Sequence, residues 1–195
     1  MKIDQIWTSA GHGDSSKTPE VYDPGAVHKE GSVFWEEAAF TEYLASGLVL
    51  LDPEHYMRVY PAPIAARVKF VNEVSFKDDI FLELHMNSAW GATGVEVIYS
   101  ELAPERRRDE AGILSHSVAS VLGLRDRGPK LDSDTPAGAG SSSGTRRGIA
   151  VVRDTRIPAF LLEVGFMQSA QDREAAVKSG VEAIHEGIKS LREAG

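Results

Sequence analysis

The chain contains no cysteine among its 195 residues. Disulfides and thiolate metal sites are therefore excluded, and any metal must be held by histidine, aspartate or glutamate. Long apolar runs are missing as well. No stretch approaches the ~20 apolar residues that a membrane helix needs, and residues 1–7 lack the apolar centre of a secretory signal. Positive charge is scarce, with 21 lysines and arginines against 29 aspartates and glutamates and a formal net charge of -8. Such a surface is poorly suited to nucleic acid. The short basic run Arg106-Arg107-Arg108 stands among acids and reads as a solvated helix face. Neither an internal repeat nor a second domain is visible. The remaining composition, 42% hydrophobic and 26% charged, suits one globular domain over residues 1–195.

Strand-like and helix-like stretches alternate along the chain. Residues 2–7 read as a first strand that ends in Thr8-Ser9-Ala10-Gly11-His12-Gly13. Glycines on both sides of His12 let the backbone turn sharply and leave the imidazole accessible. Residues 14–32 read as loop, with a turn at Asp23-Pro24-Gly25. Ser32 is expected to cap a helix from Val33, in which Phe40, Tyr43, Leu44, Leu48 and Leu51 recur every three or four residues until Asp52-Pro53 stops it. A short strand over 55–60 and a helix over 64–74 follow. Residues 79–88 form an apolar strand that ends in His85 and Asn87. Strand alternation puts Ile80, Leu82 and Leu84 on one face, and Phe81, Glu83, His85 and Asn87 on the other. Further strands are expected at 95–99, 148–153 and 157–164, and helices at 104–122, closed by Gly123, and 169–194. The Gly- and Ser-rich stretch 132–148 reads as a mobile loop. This order predicts an α/β domain: a twisted, mostly parallel or mixed sheet of about six strands with helices on both faces.

Candidate chemistry gathers at strand ends. His12 follows the first strand and His85 closes the strand 79–88; ligands of open α/β sheets sit beyond such carboxyl ends. Glu163 lies inside Phe160-Leu161-Leu162-Glu163-Val164-Gly165-Phe166, the most apolar strand. A carboxylate there is either paired, with Arg67 or Arg153 as partners, or it is a general base beside a metal-bound water. A catalytic zinc usually has three protein ligands. With His12 and His85 as two, the third is a histidine or a carboxylate. His116 and His185 fall in polar helical contexts and His28 and His55 in or beside loops, so Glu36 and Glu37 are the better candidates.

Taken in order, these words resemble the zinc-dependent N-acetylmuramoyl-L-alanine amidases, the peptidoglycan amidases of bacterial wall turnover and phage endolysins. Ala10-Gly11-His12-Gly13 resembles the first ligand motif, and Asp23-Pro24-Gly25-Ala26-Val27 the loop after it. Arg67 to Asn72 resembles the family's arginine-plus-asparagine helix, and Leu84-His85-Met86-Asn87-Ser88 the third ligand segment. Gly94-Val95-Glu96-Val97, Arg127-Gly128-Pro129-Lys130 and the stretch from Ile157 to Phe166 resemble the later motifs. The resemblance covers nearly the whole chain. It implies zinc (Zn2+) held by His12, Glu37 and His85, with Glu163 as the catalytic carboxylate. Glu37 is preferred to Glu36 because Leu44-Ala45 stands at the family's offsets from it. The implied reaction cuts the amide between the lactyl group of N-acetylmuramic acid and L-alanine of the stem peptide. Two departures stand out: Glu83 where the family commonly has serine, and the long stretch 132–148. The rival readings are a zinc peptidase with another substrate and a wall-binding module without catalysis. Peptidoglycan is the expected partner and a monomer the expected state. The expected place of action is the cell wall, reached by holin-type or other release.

Overall fold

The computed structural model of the chain describes residues 2–14, 21–136 and 148–195. They form a six-stranded sheet in the order β6-β1-β7-β10-β8-β9. Its strands are β1 (Ile6–Ala10), β6 (Tyr56–Val59), β7 (Ile80–Asn87), β8 (Val95–Tyr99), β9 (Asp126–Leu131) and β10 (Ala159–Phe166). Strands β6, β1, β7 and β10 are mutually parallel, β8 runs antiparallel to β10, and β9 runs parallel to β8. The carboxyl ends of β1, β7 and β10 therefore meet at one edge, which also receives the start of β8. The expected mixed, mostly parallel sheet is the one observed.

Both faces are covered. One core joins Ile80, Leu82, Leu84 and Met86 of β7 to Leu44 and Leu48 of α1 (Glu37–Leu51), Leu114 and Val118 of α3 (Arg106–Leu122) and Ile184 and Ile188 of the C-terminal helix (Ala170–Glu193). The other packs Phe81 and Leu161 against Val71 of α2 (Ile64–Val74) and Val151 and Val152. Each such side chain taken fully from water contributes about 1.5–3 kcal/mol. Alternation along β7 thus assigns its two sets of side chains to two different layers.

Several elements depart from the pattern read in the sequence. The first strand starts at Ile6, whose N–H donates to His55 O, and runs on through buried Thr8 and Ser9 to Ala10. Ser32 does not cap a helix. Val33–Glu36 is a strand, β5, paired with β4 (Val27–Glu30) in a hairpin, and α1 starts only at Glu37. The run Val33-Phe34-Trp35 prefers extended backbone, and this outweighs the serine. Within 14–32, short strands β2 (Gly13–Asp14) and β3 (Tyr22–Asp23) also pair. The stretch expected as a strand at 148–153 is a short helix, Ala150–Arg153, with both valines buried; an apolar run this short does not distinguish the two. Strand β9 carries Gly128 and Pro129, which hid it, and its place at the sheet edge tolerates the proline. Arg107 is buried, with its guanidinium over the Phe160 ring and paired with Glu110, so the basic run is not uniformly a solvated face. His185 is half-buried against the Tyr56 hydroxyl, not free on the surface. Of the stretch 132–148, residues 137–147 lie outside the described residues.

One buried carboxylate ties the sheet edge together. Asp172, in the first turn of the C-terminal helix, is inaccessible to solvent. It accepts hydrogen bonds from Gly94 N at 2.9 Å, Phe166 N at 2.9 Å, Ser169 Oγ at 2.7 Å and Thr93 Oγ1. The β7–β8 turn, the end of β10 and the helix start thus share one anchor. Asp172→Ala strands two buried backbone donors, which costs about 2–4 kcal/mol. The melting midpoint should then fall by roughly 5–15 °C in a domain of this size; an unchanged midpoint would show that the anchor contributes little.

Candidate metal centre and neighbouring carboxylate

At the edge where β1, β7 and β10 end, the chain brings His12, Glu37 and His85 together. Gly11 leaves β1 by donating its N–H to Leu84 O at 2.8 Å. A Cβ at Gly11 would stand 2.5 Å from His85 Nε2, so glycine is what lets the two strands' side chains meet. His12 follows with φ of 64°, in the left-handed region that a non-glycine residue rarely adopts. Its ring is held from two sides: Nδ1 lies 2.9 Å from Asp23 Oδ2, and Nε2 lies 3.2 Å from Glu37 Oε2. Gly25 has φ of 67°, and a Cβ there would come within 2.7 Å of Glu37 Oε2. The Asp-Pro-Gly turn is therefore a cradle as well as a turn, with Asp23 Oδ1 accepting from Gly25 N at 3.0 Å.

Glu37 is the first residue of α1 and is 4% exposed. Its Oε2 accepts from Ala26 N at 2.8 Å, and its Oε1 accepts from Met86 N at 3.1 Å and lies 2.7 Å from His85 Nδ1. The helix start adds a favourable dipole for the negative charge. Glu36 points elsewhere and accepts from the Tyr22 hydroxyl at 2.6 Å. Burial alone would raise the Glu37 pKa, but the hydrogen bonds and charges of His12 and His85 outweigh it and hold the carboxyl far below the usual range. For His85 the balance runs the other way: burial opposes the charged ring, while Glu37 and Glu83 raise it well above the ordinary value. His12 is raised in the same manner, with burial opposed chiefly by Glu37.

One ligand atom from each of the three residues lies within 4.8 Å of the others. Two imidazole nitrogens and one carboxylate oxygen match the donor set of a catalytic zinc, which keeps a further position open. The Asp23 carboxylate behind His12 is the support that metal-bound imidazoles usually have. Behind His85 stands Glu83, 1% exposed and 3.7 Å from His85 Nε2. Glu83 is neutralised by Arg67 Nη1 at 2.6 Å, which also donates to Ser9 Oγ and Ala10 O.

Glu163 sits in β10 directly opposite His85 of β7 and opposite Glu96 of β8. Its Oε2 is buried with no hydrogen-bond partner. Among the described residues no ion pair to Glu163 is formed: Arg67 engages Glu83 and Arg153 engages Asp154. Burial, with Glu37 and Glu96 adding to it and His85 opposing, pushes its carboxyl up to about 8. Glu96 is fixed by Asn87 Nδ2 at 2.9 Å and Arg127 Nε at 2.7 Å. Sequence reasoning singled out neither Asp23 nor Glu96 as site residues. Asp23 was hidden in a turn motif, whereas Glu96, a glutamate between buried valines, carried the same signal as Glu163. Two of the remaining histidines are engaged elsewhere, His55 on Asp52 and the exposed His116 near Asp126. A depression of about 380 Å³ opens beside the cluster, lined by His12, Tyr22, Ala38, Glu42 and Pro61. A larger cleft, about 910 Å³, lies at the opposite end of the strands among Asp78, Arg107 and Pro158 and has no part in this chemistry.

Such a cluster at the carboxyl edge of a mostly parallel sheet, with a glutamate one strand away, offers the donor set and the acid–base group that metal-assisted hydrolysis needs. The family model of N-acetylmuramoyl-L-alanine amidase matches residues 6–190, and the chain belongs to that family. Its activity is hydrolysis of the amide between the lactyl group of N-acetylmuramic acid and L-alanine of the peptidoglycan stem peptide. Among solved structures, the fold is similar to N-acetylmuramoyl-L-alanine amidase from Clostridium difficile 630, with TM-score 0.72, 19% identity and coverage of 100% of this chain and 99% of that one. It is similar also to the catalytic domain of the amidase CwlV from Bacillus (Paenibacillus) polymyxa var. colistinus, with TM-score 0.69, 21% identity and coverage of 98% and 99%. The catalytic domain of the CD27L endolysin targeting Clostridia difficile gives TM-score 0.67, 19% identity and 97% coverage of each chain. A search of curated proteins found no match. No described helix is long and apolar enough to cross a membrane.

The geometry separates neighbours that the sequence alone leaves close. Glu37→Ala should abolish stoichiometric zinc uptake, while Glu36→Ala should leave it intact. Gly11→Ala, which forces the His85 ring aside, should weaken zinc binding by about 10–100-fold. Metal analysis and calorimetric titration of the three variants check this; equal zinc affinity in all of them would remove the cluster as the metal site.

Proposed function

We propose that His12, Glu37 and His85 hold one zinc ion and that Glu163 is the general base of the amidase reaction. The observation that carries this reading is the buried, unpartnered Glu163 Oε2 beside the histidine end of the cluster. A carboxylate oxygen left without a donor costs free energy that a purely structural role does not recover. Bound at the cluster, zinc supplies a water of lowered pKa and a Lewis-acidic centre for the substrate carbonyl. The two imidazoles that would hold it are each supported from behind, His12 by Asp23 and His85 by the Arg67–Glu83 pair. With a metal's positive charge at the cluster to draw its carboxyl back down, Glu163 would take the proton of the attacking water at Oε2 and return it to the amine nitrogen of the departing L-alanine. Glu96, held by Asn87 and Arg127, keeps negative charge beside Glu163 and so favours its protonated form between these two transfers.

Glu163→Gln keeps the size of the side chain but cannot accept the proton. Zinc content and melting midpoint should be preserved, while release of amines from purified peptidoglycan falls by about 10²–10⁴-fold. An early-melting variant would point to a buried structural pair, for which loss of one partner costs ~3–5 kcal/mol. A stable, zinc-loaded variant that digests peptidoglycan at the native rate would exclude Glu163 from the chemistry.

A further inference from the structure

The largest exposed apolar side chain among the described residues stands in the turn that leaves the same sheet edge as the cluster. Trp90 is 85% exposed, although a tryptophan offers 150–250 Å² of surface that folding normally hides. It belongs to the β7–β8 turn, five residues beyond His85. Five residues of extended chain span at most ~17 Å. The turn is anchored at both ends: Gln168 Nε2 donates to Ser88 Oγ at 2.9 Å, and Asp172 holds Thr93 and Gly94. The Trp90 ring meets His28 with centroids 6.3 Å apart and planes at 69°. His28 lies in the β4–β5 hairpin, two residues after Ala26, whose N–H donates to Glu37. The segments that lead to two members of the metal cluster, Glu37 and His85, therefore touch one another through Trp90 and His28. Val27, Val33 and Phe34 of the same hairpin are also exposed.

We infer that Trp90, set against His28, is a stacking platform for a sugar ring of the glycan strand. The inference rests on the amidase reading, whose substrate carries a muramoyl sugar on one side of the scissile amide and a peptide on the other. The indole meets the His28 ring at a steep interplanar angle and keeps most of its surface open to solvent. A pyranose ring presents a flat face of C–H groups to such a surface while its hydroxyl and N-acetyl groups stay hydrated. A stem peptide, with alternating side chains and carboxylates, offers no comparable flat apolar face. Trp90 is thereby a specificity residue for the sugar side of the substrate.

The probe is peptide-free glycan strand, which the enzyme has nothing left to cut, titrated into the native protein and into Trp90→Phe and Trp90→Ala. In the native protein the strand should shift or quench the part of the tryptophan emission that Trp90→Phe removes. Trp90→Phe keeps a ring for stacking and should hold KM on peptidoglycan within about twofold, whereas Trp90→Ala should raise it about tenfold with kcat nearly unchanged. Sugar-free stem peptide should leave the Trp90 emission as it was. An emission unmoved by glycan, a response to the peptide alone, or native KM in Trp90→Ala would overturn the assignment. Should the native protein fail to hydrolyse peptidoglycan, the zinc mechanism falls separately, and the emission titration, which needs no turnover, decides the platform by itself.

Discussion

The carboxylate of Glu37, clamped between two imidazoles, is the constraint on which the rest of the edge depends. It is buried at a helix start, accepts two backbone N–H groups, and still presents an oxygen to each of His12 and His85. Everything nearby serves that meeting. Gly11 and Gly25 remove the side chains that would block it. His12 is held in left-handed backbone, an arrangement costing of order 1–2 kcal/mol, which persists because both ring nitrogens are engaged. The β4–β5 hairpin feeds directly into α1 and so fixes where Glu37 begins.

Around this centre, charge is layered. The clamp is one carboxylate against two rings; behind it Arg67 balances Glu83, and Arg127 balances Glu96. Of these carboxylates Glu83 and Glu163 each have a buried oxygen without a hydrogen bond, and Glu163 stands opposite His85 in register with no ion pair among the described residues. Glu83 Oε2 is likewise unpartnered, but its other oxygen takes the Arg67 guanidinium, so its charge is compensated. The contrast is the ground for proposing a supporting role for Glu83 and a reactive one for Glu163. A chain with net charge of -8 thus uses its few buried cations to leave one acid uncompensated.

Much of this was legible in the residues. The alternation of β7 assigned Ile80, Leu82 and Leu84 to one core and set Glu83, His85 and Asn87 on the other face, as observed. Helix α2 and strand β8 fall where periodicity puts them. His12, His85 and a glutamate opening α1 could be suspected, because polar residues at strand ends have few structural reasons to be there. What could not be read was long-range. Nothing local tells that Arg67 reaches across to Glu83 and thereby leaves Glu163 alone, or that Asp23 turns back onto His12. Nothing local tells that Val33-Phe34-Trp35 pairs with 27–30 before the helix starts. Short apolar runs such as 150–153 have no period to read, and β9 shows only its glycine and proline.

The central claim is that two imidazoles and one carboxylate of this chain bind zinc in a site open to water. Zinc K-edge absorption of the loaded protein tests it most directly. The account predicts nitrogen and oxygen neighbours at about 2.0–2.2 Å, imidazole scattering from two rings, and loss of one ring's contribution in His85→Ala. A spectrum without imidazole scattering, or one unchanged in His85→Ala, would contradict it.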